Sequence, residues 1–232
     1  SPEYSKWPQV SDVFQVKAGG FITARDHFVV DLDKESLLKK IGDLRSTSLS
    51  DSQIRKKYFD GMGSKKYPAG DTRGWKLSAA RESLRRDSKW KEHVRSCLYR
   101  PFDERWVYWT ESMVDWPRPE TNGHLLNKGN IGLVFMRQVA SSNDYTHVIV
   151  SRSPVDARAC YSNKGIIDLA PLFLHDSPTS KSHTLFSDAD EIVSNLRPEF
   201  VQLFEAFTEK GRFNSDQEIF DYIVGILGSV AY

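Results

Sequence analysis

The chain has 232 residues, of which 39% are hydrophobic, 12% aromatic and 27% charged, enough for one generous domain or two small ones with a real core. Its net charge is only +1, so it is neither a uniformly basic nor a uniformly acidic protein. No run approaches the roughly 18 uninterrupted apolar residues of a membrane helix, and the longest apolar stretch, Tyr222 to Ala231, is interrupted by glycine.

Residues 1–31 hold the apolar segment Val13-Phe14-Gln15-Val16, the pair Gly19-Gly20, and the alternating run Phe21 to Val30. This reads as two strand-like runs with a glycine turn between them. Asp31 or Asp33 can cap a helix carrying Leu37, Leu38, Ile41 and Leu44, and Ser50-Asp51-Ser52 can open a second through Ile54, Tyr58 and Phe59. Residues 61–74 have the Gly- and polar-rich composition of a loop. A third helix fits Leu77, Ala80, Arg81 and Leu84, and a fourth is expected through Trp90, Val94 and Leu98.

After Tyr99 the pattern changes to short β-rich runs: Arg105 to Trp109, Ile131 to Arg137, His147 to Ser151, and Ile166 to Leu174. Trp116-Pro117-Arg118-Pro119-Glu120 is expected to be extended, because each proline fixes its own φ and restricts the residue before it. The stretch 175–190 reads as a loop. Pro198 suits the first turn of a helix with Phe200, Val201, Phe204 and Phe207 on one face, and Asn214 or Ser215 caps a last helix through Ile219, Ile223, Ile226 and Leu227. The expected fold class is α+β, with a mixed, mostly antiparallel sheet between helical segments.

The small net charge conceals an asymmetry. Lys34 to Arg105 contains 19 Lys/Arg against 10 Asp/Glu, whereas Asp168 to Tyr232 contains 4 against 11. One face could meet a polyanion while the other meets solvent or a partner domain; solvated helical faces explain the same charges equally well.

Several chemistries are missing. There is no GxGxxG, GxxxxGK[ST], HExxH or GxSxG pattern, and no Asn-Pro-Pro-Tyr loop of the kind that grips a flipped adenine. The six histidines show no metal-ligand spacing, and Asp168 and Asp176 read as strand-end and turn residues. No catalytic residue and no metal ligand is assigned. Cys97 and Cys160 have no CxxC or CxH partner and fit half-buried thiols in a reducing compartment, the cytoplasm. The N-terminus lacks an initiator Met and the C-terminus stops just after an apolar helical pattern, so the chain reads as a fragment.

What remains suits nucleic acid. Arginines and aromatics interleave from Tyr99 to Arg118, and guanidinium forks bind phosphate or guanine edges while aromatic faces support stacking. In Tyr99-Arg100-Pro101-Phe102-Asp103-Glu104-Arg105, however, Arg100 and Asp103 fit an internal salt-bridged corner better than a reading surface. Better candidates for base reading are Arg137, Arg152, Arg158 and Lys164, at or just beyond predicted strand ends, with Gln138, Asn143 and Asn163 in the same loops. Arg118 is a further candidate, and Lys56 and Lys57 are candidate phosphate contacts.

On these residues the chain resembles the C-terminal part of type ISP restriction-modification enzymes. The resemblance rests on an ordered series. It begins with Asp12-Val13-Phe14 and Gly20-Phe21-Ile22-Thr23-Ala24-Arg25-Asp26, and its strongest element is Tyr99 to Arg105 with Tyr108 and Trp109. Asn130-Ile131-Gly132-Leu133, Arg137-Gln138, His147-Val148-Ile149-Val150-Ser151 and Pro171-Leu172-Phe173-Leu174 follow. It implies a non-catalytic target recognition region for double-stranded DNA. It also implies methyltransferase and motor domains in the same polypeptide, with S-adenosylmethionine, ATP and Mg bound by parts outside this chain. Three segments are then expected: 1–32 trailing the methyltransferase, a basic helical connector at 33–98, and a recognition domain with C-terminal helices at 99–232. The alternative is a module that couples those domains without touching DNA.

Overall fold

The computed structural model describes residues 9–126, 129–136, 147–160, 165–175, 192–208 and 212–229. In chain order the elements are α1 (Val10–Val13), β1 (Ala18–Gly19), α2 (Asp26–Val29), β2 (Val30–Asp31), α3 (Lys34–Arg45), α4 (Asp51–Tyr58), α5 (Leu77–Arg86), β3 (Val94–Arg100) and β4 (Asp103–Tyr108). They continue with β5 (Gly132–Phe135), β6 (Val148–Ser151), β7 (Asp168–Pro171), β8 (Phe173–His175), β9 (Ile192–Ser194), α6 (Pro198–Phe207) and α7 (Asp216–Leu227). Among the described residues three antiparallel sheets run in the orders β1-β7-β5-β6, β2-β4-β3 and β8-β9, so the class is α+β as expected.

Two compact units interleave along the chain. A sheet unit takes Ser1–Phe21, Leu98–Phe102 and Arg118–Tyr232, and a helical unit takes Ile22–Cys97 and Asp103–Pro117.

In the sheet unit, β5 and β7 are buried along their whole length, so both faces of the four-stranded sheet are covered along its two central strands. Leu133, Phe135 and Ala170 join Val13, Phe14, Leu172, Leu196, Ile219, Phe220 and Ile223 in one apolar layer. Val134, Met136 and Leu169 join Leu98, Leu125, Val155, Ala159, Cys160 and Ile167 in another. The two-residue period of a strand sends neighbouring side chains to opposite layers. Burial on both faces gives β5 its unbroken apolar sequence where a one-sided strand would alternate. Buried asparagines tie the segments to the sheet: Asn195 donates to Val16 O (2.8 Å) and Pro171 O (2.7 Å), and Asn130 donates to His124 O and Phe173 O, both at 2.8 Å.

The helical unit follows its caps. Asp33 accepts from Ser36 N at 2.7 Å to start α3, and Ser50 forms a reciprocal capping box with Gln53 to start α4. Leu37, Ile41, Leu44, Ile54, Leu77 and Leu84 form its core with Phe28 and Phe59. In the sheet unit Pro198 occupies the first turn of α6, and Ser215 caps α7 through Glu218 N at 3.3 Å.

Three local expectations are corrected. The fourth helix does not form: Trp90–His93 is a single 3-10 turn and Val94–Arg100 is strand β3. Trp90, Val94 and Leu98 satisfy helical spacing, but pairing with β4 decides the conformation. The run Phe21 to Val30 is broken by α2, and Val13 ends α1 instead of starting a strand. Gly19-Gly20 is not a hairpin turn either. Gly19 pairs with Asp168 in β1, and a Cβ on Gly20 would lie 2.7 Å from Ala157 N and Val155 O, so this glycine permits a close backbone approach.

Candidate nucleic-acid interface

Within the sheet unit the end of β3 lies against residues 153–158. Leu98 and Val155 form a parallel bridge, with Leu98 N donating to Pro154 O (2.9 Å) and Asp156 N donating to Leu98 O (3.0 Å). On the other side Phe21 N donates to Val155 O (2.9 Å) and Ala157 N to Phe21 O (2.8 Å). Asn122, fully buried, accepts from Val155 N at 2.7 Å. The segment is therefore held from three directions although it belongs to no extended strand.

Arg158 projects from this held segment, and Arg152 from the turn immediately before it. Both are exposed, and neither has an ion-pair partner among the described residues. Arg152 sits in a turn closed by Ser151, whose hydroxyl donates to Ser153 O (2.7 Å) and accepts from Ser153 N (3.1 Å). Asp156 fixes Arg158 from below, its buried carboxylate accepting Arg158 N at 2.9 Å. The same oxygen accepts Arg100 Nη1 at 2.9 Å, and the Arg100 guanidinium lies 3.9 Å from the centre of the Tyr99 ring. One carboxylate thus positions one arginine by its side chain and another by its backbone. An exposed cation on an immobilised backbone meets a phosphate or guanine edge at little backbone conformational cost, with only its side chain left to order.

Asp156 was not singled out from the sequence. Its signal is the short Asp-x-Arg spacing, in which an aspartate accepts from the backbone two residues on.

The ion pairs of the Tyr99 to Arg105 run differ from the expected corner. Arg100 pairs with Asp156, while Asp103 pairs with Arg105 at 2.8 Å. Pro101 and Phe102 form the turn, and Phe102 is 99% exposed. Arg118 has a positive φ of 53°, so the Trp116 to Glu120 stretch is not extended there; its guanidinium lies 3.5 Å from Glu120. Arg137, Gln138, Asn143, Asn163 and Lys164, and Asp176 with them, lie outside the described residues.

In the helical unit much of the positive charge serves the fold. Arg81 is buried and donates to Leu44 O (2.9 Å), Ser46 O (2.7 Å), Leu49 O and the Asp51 carboxylate. Arg45 donates to Leu84 O (2.7 Å) and Asp87 O (3.0 Å), and Arg85 returns a bond to Arg45 O at 3.1 Å. Lys57 is tied to Asp43 at 2.6 Å, which holds that carboxyl below its ordinary range, whereas Lys56 is exposed without an ion pair among the described residues. Burial pushes the Cys160 thiol up. No group of three His, Cys, Asp or Glu among the described residues could hold a metal ion, and no described helix is long and apolar enough to cross a membrane.

Known proteins place this arrangement in a family. The curated proteins provide no match. Among solved structures the chain is similar to a DrdV–DNA complex determined by cryoEM (16% identity, TM-score 0.61, 98% of this chain and 21% of that one). It is also similar to a nuclease-deletion mutant of the Type ISP restriction-modification enzyme LlaGI in complex with a DNA substrate mimic (17%, 0.57, 100% and 20%). A third similarity is to the ATP-dependent Type ISP restriction-modification enzyme LlaBIII bound to DNA (18%, 0.58, 98% and 14%). At these identities the likeness is one of fold, and the chain spans about a fifth or less of each of those proteins. The model of the Type ISP C-terminal specificity domain matches residues 12–232, and the chain belongs to that family.

Proposed function

We propose that this chain reads a short duplex DNA site and positions its adenine for methylation by another part of a longer polypeptide. The observation that carries the reading is the pair Arg152 and Arg158, both exposed and both on backbone locked by Ser151 and Asp156. Membership of a specificity-domain family and a fold shared with DNA-bound enzymes support it. In this reading the chain is not itself a catalyst. S-adenosylmethionine, ATP and Mg are held by methyltransferase and motor domains outside it, in the cytoplasm.

Division of labour follows from the placement of the charges. Lysines such as Lys56 supply phosphate contacts and salt-dependent affinity, and the loop arginines supply discrimination between bases.

The test is selection of bound duplexes from a randomised pool, followed by anisotropy titrations at two salt concentrations. The expected result is enrichment of one short asymmetric site, with affinity falling as salt rises. Absence of both enrichment and salt-dependent binding would overturn the reading in favour of a coupling module that does not touch DNA.

A further inference from the structure

Phe102 is the residue that folding explains least. It follows Pro101 at the turn between β3 and β4, with a φ of +60° and 99% of its surface exposed. Proline at the second position of a turn and a positive φ at the third form the type II pattern, which ordinarily takes Gly or Asn at that third position. A side chain with a Cβ is penalised there, and a large ring left in water forgoes the free energy of burial. Glycine would remove both penalties, and asparagine would lessen them, at little loss of packing for a ring that is 99% exposed. A residue strained and exposed at once points to something outside the folded chain.

Its surroundings identify what that partner is. Two residues before it, Arg100 lies over the Tyr99 ring and is anchored on Asp156, which also fixes the backbone of exposed Arg158. A lone ring rooted beside guanidinium groups is too small an apolar area for a protein interface, whose anchors sit inside a larger apolar patch. It does fit a polyanion with flat apolar faces inside it. The cations engage phosphates and the ring reaches a nucleobase, the combination used by apolar wedges that unstack a base step and by aromatic stacking platforms.

We propose that Phe102 places its ring against the face of a nucleobase at a step of the bound duplex that it partly unstacks. This rests on the DNA-binding reading above and adds to it a contact that senses how easily a step opens, not its hydrogen-bonding edge.

The experiment uses duplexes selected from the randomised pool by the wild-type chain, remade with 2-aminopurine at successive positions. Wild type is expected to raise the fluorescence at one step on binding. Phe102→Ala and Phe102→Gly should abolish that rise and weaken binding roughly ten-fold or more, without changing its salt dependence. Both variants should melt no lower than wild type, with Phe102→Gly at or above it, so that loss of folding does not account for the effect. Wild-type affinity and an unchanged fluorescence profile in Phe102→Ala would overturn the proposal and leave DNA recognition standing. A wild-type chain that enriches and binds no duplex would overturn both.

Discussion

Arg81→Ala separates positive charge that builds the fold from positive charge that meets a ligand. Arg81 is 1% exposed and its guanidinium makes hydrogen bonds to three main-chain oxygens, on Leu44, Ser46 and Leu49. Leu44 is fully buried, and Ser46 and Leu49 are half-buried; truncation deprives the buried Leu44 oxygen of its donor, leaves Leu49 O with incomplete access to water, and leaves Ser46 O with only its bond from Arg85 at 3.1 Å. Hydrogen bonds from a charged donor are worth about 1.5–3 kcal/mol each; discounting the two half-buried acceptors gives about 4 kcal/mol in total. The pair with Asp51 adds little, because that carboxylate is 44% exposed and is solvated once released. A loss of about 4 kcal/mol is a large part of a typical domain's stability. Urea unfolding followed by circular dichroism should therefore show a much lower midpoint, with Arg81→Lys between alanine and wild type because an ammonium lacks the fork. A variant that kept wild-type stability but lost DNA affinity would refute this reasoning and make Arg81 a ligand contact.

Arg152→Ala and Arg158→Ala should each relax base preference by about 1–3 kcal/mol at one position of the selected site, measured by competition between matched and mismatched duplexes. Lys56→Ala should instead weaken binding evenly across sequences and reduce the slope of log K against log salt by about one. Asp156→Ala should lower stability by about 2 kcal/mol, from one half-buried backbone hydrogen bond and a part-exposed ion pair. It should also blunt discrimination at the position read by Arg158, whereas Asp156→Asn should retain more of both. Burial holds the His124 ring below the ordinary imidazole value, with His175 adding to the effect. The unfolded chain then takes up the proton first, so stability should fall as pH drops through about 6.5 and below. Melting temperatures from pH 7.5 to 5 check this, and His124→Gln should flatten the slope.

The helices were legible because their signals are local. Asp33, Ser50, Ser215 and Pro198 mark helix starts by chemistry that acts within one turn. The apolar runs at β5 and β7 were legible because burial on both faces removes alternation. Strand β3 was not, because Trp90, Val94 and Leu98 fit two periods and the partner that decides between them is β4. The candidate site shows the same division. Exposed loop arginines at 152 and 158 follow from strand ends and composition, but the carboxylate that fixes Arg158 bonds to Arg100 across 56 positions of sequence. Arg81 bonds to Leu44 O across 37. Neither separation leaves a periodic trace.

Those long-range bonds change what the basic stretch from Lys34 to Arg105 means. Taken as a sum it suggests one electropositive face, yet its residues do different jobs by type. Arg45, Arg55, Arg81 and Arg85 each donate to main-chain carbonyls. A planar fork satisfies several carbonyls at once and gives up hydration more readily than an ammonium does. Lys39, Lys56, Lys65, Lys66, Lys89 and Lys91 are exposed, and a hydrated ammonium on a flexible stem suits diffuse phosphate contact. Substitutions of these exposed lysines should therefore change affinity and its salt dependence while sparing stability, and substitutions of these arginines should do the reverse. Base preference should respond to neither, since it is assigned to the arginines held by Ser151 and Asp156 in the sheet unit.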